Sequence, residues 1–274
     1  MKEEPCPVCG GATAPAAGGL PECGACGLAF RAEKYFGAPA YEPGLEEDIY
    51  SRAQKDLFRE ALDFLDRALP AGRLLDIGCA GGELLKTAAA RGWEAEGVEL
   101  APLLAAKALA RGFKVHTRPV EEAGLAGGAY DAVTVLGVFS LMDNPPAATA
   151  ELLRLLKPGG VIYIRDLNAA FHLPFYRLEK AGFFRPLGVS PSVIHNFNFR
   201  AGTLRVLLGR AGFRGIRIRN SRPTAGDPYR TGGALGGFFT GALKVLYYWL
   251  AQALWFFTLG RVYAGSALIV TARK

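Results

Sequence analysis

The segment Leu74-Leu-Asp-Ile-Gly-Cys-Ala-Gly-Gly-Glu-Leu-Leu85, with Gly97-Val-Glu-Leu100 after it, constrains this chain more than any other. An apolar strand runs into an acid, passes through a turn of small residues and opens a helix. A second strand then closes on another acid, Glu99. Such turns let backbone come close to a nucleotide-like ligand at the carboxyl ends of a sheet. Gly78, Ala80, Gly81 and Gly82 supply the turn, with Ala80 where a G-x-G-x-x-G loop has its second glycine. Asp76, at the strand's end, would repel a pyrophosphate and attract a cationic centre. Glu99 lies 23 residues after Asp76, where an acid can accept from both ribose hydroxyls.

Strands and helices alternate beyond this point. The expected order is a strand over 73–78, a helix over 82–90, a strand over 94–99, a helix over 102–110 and a short strand from Val115. Tyr130-Asp-Ala-Val-Thr-Val-Leu136 is the fourth strand, Pro145 and Pro146 start the next helix, and Val161-Ile-Tyr-Ile164 is the fifth strand. Strands six and seven are expected over 214–219 and 266–272. Alternation of this kind implies an α/β fold, a parallel Rossmann-like sheet with helices on both faces. Ahead of it, apolar residues at Ile49, Ala53, Leu57, Ala61, Leu65 and Leu69 predict an amphipathic helix. Residues 31–44 read as a linker.

Asp76, Gly78, Gly82 and Glu99, together with Tyr130-Asp131, Leu156-Lys-Pro-Gly-Gly160, His195-x-Phe197, Thr203-Leu204 and Ala211-Gly-Phe213, resemble the pattern of the class I S-adenosylmethionine-dependent methyltransferases. The resemblance covers most of the chain and implies S-adenosylmethionine as cofactor, whose ammonium and sulfonium suit Asp76. It places Asp76, Gly78, Ala80, Gly82, Glu99 and Leu136 around that cofactor and Glu121 against its adenine. Many relatives carry Glu-His after strand four, where this chain has Ser140-Leu141. The candidate bases for a hydroxyl acceptor are therefore His195, His172 and Asp166, with Asn168 to orient His195. His116 is read as structural and Cys79 as a small buried residue.

Cys6-Pro-Val-Cys9 and Cys23-Gly-Ala-Cys26 form two C-x-x-C knuckles thirteen residues apart, each followed by glycine. Four thiolates on short loops suit a tetrahedral structural zinc ion. Thirty residues bury little core alone, so the ion would supply folding energy. The expected organisation is a zinc ribbon over 1–36 and a methyltransferase domain over 45–274, with an insertion at 231–260. Up to Phe30 the only cation is Lys2, so the ribbon is not read as a nucleic-acid module. A ribbon ending in Cys26-Gly-Leu-x-Phe30 is similar to those of small-molecule methyltransferases, among them sugar C-methyltransferases and relatives of ubiquinone O-methyltransferases.

Leu235–Leu259 is a run of 25 residues with one charge, Lys244, and many aromatic side chains. Its length would cross a bilayer, roughly 37 Å as a helix. Yet the strands before and after it should share one sheet, so the run must return, lie at an interface or be buried. Peripheral membrane contact, a homodimer face and a lid over the pocket all remain open. The net charge is +7, and residues 200–230 hold eight arginines against one acid, Asp227. A small, apolar or lipid-like acceptor is the leading expectation, with a sugar acceptor or RNA on the basic stretch as alternatives. With no apolar signal region and cysteines at metal spacing, the chain is expected in the cytoplasm, with peripheral contact at the inner membrane face as one of the open readings.

Overall fold

The computed structural model describes residues 5–15, 18–33, 54–187, 192–223 and 234–274, with side chains from 243 onward in the last segment. Most of the expected linker and the first turns of the expected 45–69 helix lie outside the described residues.

The elements in chain order are β1 (Thr13–Pro15), β2 (Pro21–Cys23), β3 (Ala29–Phe30), α1 (Lys55–Ala68), β4 (Arg73–Ile77), α2 (Glu83–Ala89), β5 (Glu94–Val98), α3 (Pro102–Ala110), β6 (Val115–His116), β7 (Tyr130–Leu136), α4 (Pro145–Leu155), β8 (Leu156–Leu167), α5 (Ala169–Lys180), β9 (Phe197–Asn198), α6 (Ala201–Ala211), β10 (Arg214–Asn220), α7 (Ala234–Phe257) and β11 (Ala267–Arg273). The main sheet runs β10-β11-β8-β7-β4-β5-β6. Its pairs from β8 to β6 are parallel, whereas β11 is antiparallel to both β8 and β10. Every parallel strand therefore ends on the same edge, and that edge gathers the turns that carry the chemistry.

Strand alternation builds the two layers. Leu75, Ile77, Val133, Val135, Ile162 and Ile164 face α4 and α6, meeting Leu152, Leu155, Leu204 and Leu208. Leu74, Ala132, Val161 and Tyr163 face the other way, onto Leu62 and Leu65 of α1 and Leu84 of α2. β8 is longer than expected. Leu156 to Gly160 continues it, because Leu156 already pairs with Tyr130 before a register shift, so the segment read as a turn is strand.

The N-terminal cysteine segment is not self-contained. β1, β2 and β3 form an antiparallel sheet whose fourth strand is β9, from beyond β8 in sequence. Glu22 binds Arg177 and Arg200, Thr203 Oγ1 donates to the Cys26 carbonyl at 2.7 Å, and Arg210 donates to that of Val8. Arg219 pairs with Glu60, and Arg205 lies over the Tyr263 ring. Four of the eight arginines read as a basic patch are thus engaged within the fold.

α7 returns the chain to its own side, since β10 before it and β11 after it are paired strands. Among the described residues, no helix is long and apolar enough to cross a membrane. The helix is anchored through Ala251, whose carbonyl accepts from Asn220, and through Tyr247, whose hydroxyl donates to the Ala264 carbonyl. Its outer side presents Leu243, Leu246, Trp249, Leu250, Phe256 and Phe257 to solvent, Phe257 being 80% exposed.

Candidate active site

At the β4 end, Asp76 is 3% exposed and accepts a 2.6 Å hydrogen bond from Thr134 Oγ1. Burial, reinforced by the Glu99 charge, pushes its pKa up to about 7. A buried carboxylate so poised gains most from a cationic ligand. Gly78 follows at φ +74°, and a Cβ there would meet Val138 Cγ1 at 2.7 Å, so the turn needs glycine twice over. Ala80 takes the left-handed conformation at φ +46°, held by its N–H donating to Glu99 Oε2 at 2.9 Å. The other Glu99 oxygen accepts from Ala101 N at 2.8 Å. One acid thus ties the β4 turn to the start of α3, and each oxygen keeps a lone pair for ribose. Gly82, also left-handed, opens α2. Leu136 stands half-buried at the β7 end, and Glu121 is exposed beyond β6. Cys79 is buried, and burial keeps its thiol protonated. His116 bonds to Glu96 at 3.1 Å, the structural role expected of it.

The exit of β7 brings a second group together. Ser140 N and Oγ donate to Asp166 Oδ2 and Oδ1 at 2.7 and 2.8 Å. Ser140 Oγ also lies 2.6 Å from His195 Nδ1. Because the hydroxyl proton is directed to Asp166, Nδ1–H is the donor to Oγ, and the imidazole lone pair falls on Nε2. Burial lowers the His195 pKa, so the neutral ring is favoured at neutral pH. His195 and Asp166, two of the alternative candidate bases, are brought together through Ser140, which the sequence marks only as a departure from the Glu-His of relatives. A serine two residues past the turn at Val138 carries no motif, and only the fold shows where its hydroxyl points. Val138 is also the residue against Gly78, so this cluster and the cofactor turn share one wall.

Two expectations need correction. His172 is no candidate base: Nδ1 accepts from Val193 N at 3.2 Å and Nε2 faces the Ser266 carbonyl at 3.0 Å. With both nitrogens engaged and burial holding its pKa at about 4, it is a neutral structural link. Asn168 does not orient His195. Its side chain caps α5 through Ala170 N and donates to the Tyr263 and Gly265 carbonyls.

The Sγ atoms of Cys6, Cys9, Cys23 and Cys26 lie within 4.8 Å of one another, with Cys6–Cys26 at 3.6 Å and Cys9–Cys23 at 3.4 Å. A tetrahedral ion with thiolates at about 2.3 Å separates its sulfurs by about 3.8 Å, so the set fits a four-thiolate metal site.

Residues 51–218 match the family described as "Methyltransferase domain". The chain is 38% identical over 116 residues to a ubiquinone biosynthesis O-methyltransferase of Dechloromonas aromatica, covering 39% of this chain and 50% of that protein. It is 30% identical over 145 residues to one of Chromobacterium violaceum, covering 50% and 62%. The chain thus spans about half to three-fifths of the length of these curated relatives. Among solved structures, an S-adenosylmethionine-dependent methyltransferase from Mesorhizobium loti superposes with a TM-score of 0.53 at 18% identity, over 82% of this chain and 100% of that one. One from Archaeoglobus fulgidus gives 0.54 at 17%, over 81% and 94%. With its acid-flanked glycine turn and its sheet order, the chain belongs to the methyltransferase domain family and has the fold of the S-adenosylmethionine-dependent methyltransferases it superposes on.

Proposed function

We propose that this enzyme methylates a hydroxyl of a small, lipid-like acceptor drawn from an anionic membrane surface. The observation that carries the reading is the apolar outer side of α7, a helix packed on α5, which follows Asp166 in the chain. Tyr247 of α7 packs on Phe171 of α5 at 5.0 Å between ring centroids, and α5 begins three residues after Asp166. Leu178 and Phe183, around the end of α5, are exposed as well. A patch of this size on one chain marks an interaction surface. Its charge favours lipid over a second copy. The sequence has no acid after Asp227, while Lys244 lies on the helix and Arg261 just beyond it, so a self-complementary dimer through this face would bring together cations with no acid to answer them. The names of the curated relatives, ubiquinone biosynthesis O-methyltransferases, point to the same acceptor class.

In this reading Asp76 and Glu99 hold the cofactor, with Gly78, Ala80, Gly82 and Leu136 shaping its cleft and Glu121 near its adenine. When bound, S-adenosylmethionine supplies an activated methyl group. His195 takes the acceptor's hydroxyl proton at Nε2, and the charge that forms is stabilised through Ser140 by Asp166. Zinc in the four-cysteine site has a structural role.

Sedimentation with vesicles tests the surface. The protein should pellet with phosphatidylglycerol but not phosphatidylcholine, and Phe256→Glu/Phe257→Glu should release it. A wild-type protein that ignores both vesicles and runs as a dimer broken by the same double variant would replace lipid with a second copy. For the acceptor, methyl label transferred from S-adenosylmethionine to host extract should enter the organic phase, and aqueous label would refute lipid.

A further inference from the structure

We infer that the four-cysteine ribbon is a working part of the acceptor site, and that Asn198 is the positioning residue through which it holds His195. The inference rests on His195 being the base. β3, three residues beyond Cys26, pairs with β9 so that Ala29 faces Asn198 and Phe30 faces Phe197. Asn198 is 6% exposed and its side chain makes three contacts. Oδ1 accepts from His195 N at 3.1 Å, and Nδ2 donates to the carbonyls of His195 at 3.0 Å and Ala29 at 3.2 Å. One amide therefore closes the loop at both polar groups of the His195 backbone and locks it to the ribbon strand. Past the strand, Arg31 N donates to the Asn196 carbonyl at 2.8 Å.

A second connection runs through aromatic rings. Phe30 meets Phe197 at 6.4 Å, Phe197 meets Phe199 at 6.3 Å, and Phe199 meets Phe139 at 5.4 Å between centroids. Phe139 immediately precedes Ser140, the other support of the imidazole. Both neighbours of the base are thus braced from the ribbon. β3 and β9 are two residues each, too short to persist unless the ribbon is fixed, and a metal at the cysteines would add to the ion pairs and core contacts that fix it. By contrast, among the described residues Asp76, Gly78 and Glu99 bond to Thr134, to the Val98 carbonyl and to the Ala80 and Ala101 amides, all outside the ribbon. Metal loading should accordingly govern the base and leave cofactor binding alone.

The test uses the full-length zinc-loaded protein, with hydrogen exchange of segment 194–199 as the readout beside activity on an alkyl catechol. Asn198→Ala should keep one zinc per chain and hold the S-adenosylmethionine Kd within about twofold. It should speed exchange at the His195 amide, which loses its acceptor, and lower kcat by at least about tenfold. Arg210→Ala, which removes a ribbon contact remote from β9, should change none of these. Zinc removal by chelator should reproduce the exchange of Asn198→Ala. Unchanged exchange at 194–199 in both the variant and the stripped protein would overturn the inference. His195→Gln with full activity would instead refute the base, and the exchange data would still report whether the ribbon braces this loop.

Discussion

Asp76 makes cofactor affinity a function of pH in a range where most carboxylates are silent. Its pKa of about 7 means that the proton must leave before the carboxylate can meet the ammonium and sulfonium. If only the ionised form binds, the ionised fraction is about nine-tenths at pH 8 and about one-tenth at pH 6, so Kd should rise about tenfold across that interval, equivalent to about 1.4 kcal/mol. Titration calorimetry with S-adenosylmethionine reads this directly. At pH 7, binding should release about half a proton per chain, seen as a dependence of the heat on the buffer's ionisation enthalpy. Asp76→Asn should bind weakly at every pH and show no slope. It should also stabilise the ligand-free protein at pH 8. The native carboxyl holds its proton more tightly than the unfolded one, so stability falls as pH rises from about 4 to about 7, by up to about 4 kcal/mol. A wild-type Kd that is flat between pH 8 and 6, with no proton release, would refute the assignment of Asp76 as the cation's partner.

Four further outcomes follow from the same turns. Ser140→Ala removes the link between Asp166 and His195 and should lower kcat by about 10²-fold or more with cofactor affinity unchanged, as measured by steady-state kinetics at saturating cofactor. In the wild type, the acid limb of kcat should lie below pH 6.5, because burial depresses the His195 pKa. Gly78→Ala combines a left-handed backbone with a 2.7 Å clash on Val138 and should destabilise by about 1–3 kcal/mol while abolishing binding, checked by denaturant melts and calorimetry. Ala80→Gly relieves a left-handed alanine and should raise stability by up to about 1 kcal/mol without loss of affinity, since the bond to Glu99 is made by backbone.

The cofactor half of the site was legible because its chemistry sits in contiguous residues. Asp76, the glycines and Glu99 lie at strand ends that periodicity locates, and a parallel sheet brings such ends to one edge. The cysteine cluster was legible for the same reason, as two knuckles whose spacing alone suits one ion. The extent of β8 was hidden by Pro158-Gly-Gly160, residues that punctuate most strands but here ride an irregularity opposite β7.

Side chains whose role depends on long-range pairing could not be read locally. His195 matches the family pattern and His172 does not, but both follow β8 and the sequence leaves both as candidate bases. What separates them is which backbone they meet: His172 spends both nitrogens on Val193 and Ser266, whereas His195 gives Nδ1 to a serine hydroxyl already committed to a carboxylate. Ser140 carries no local signal of its contacts, since it stands where relatives have Glu-His and its partners come from β8 and the loop before β9. In the proposed reading the base comes from a different chain position, a histidine in the loop before β9 that meets Ser140 after β7. That substitution carries a cost in independence. A histidine directly after β7 would be braced by the sheet itself, but one placed 55 residues later needs an outside support. The ribbon strand at β9 is the support the structure provides, and this explains why a four-cysteine module that shares no residue with the cofactor turn is joined so closely to this domain.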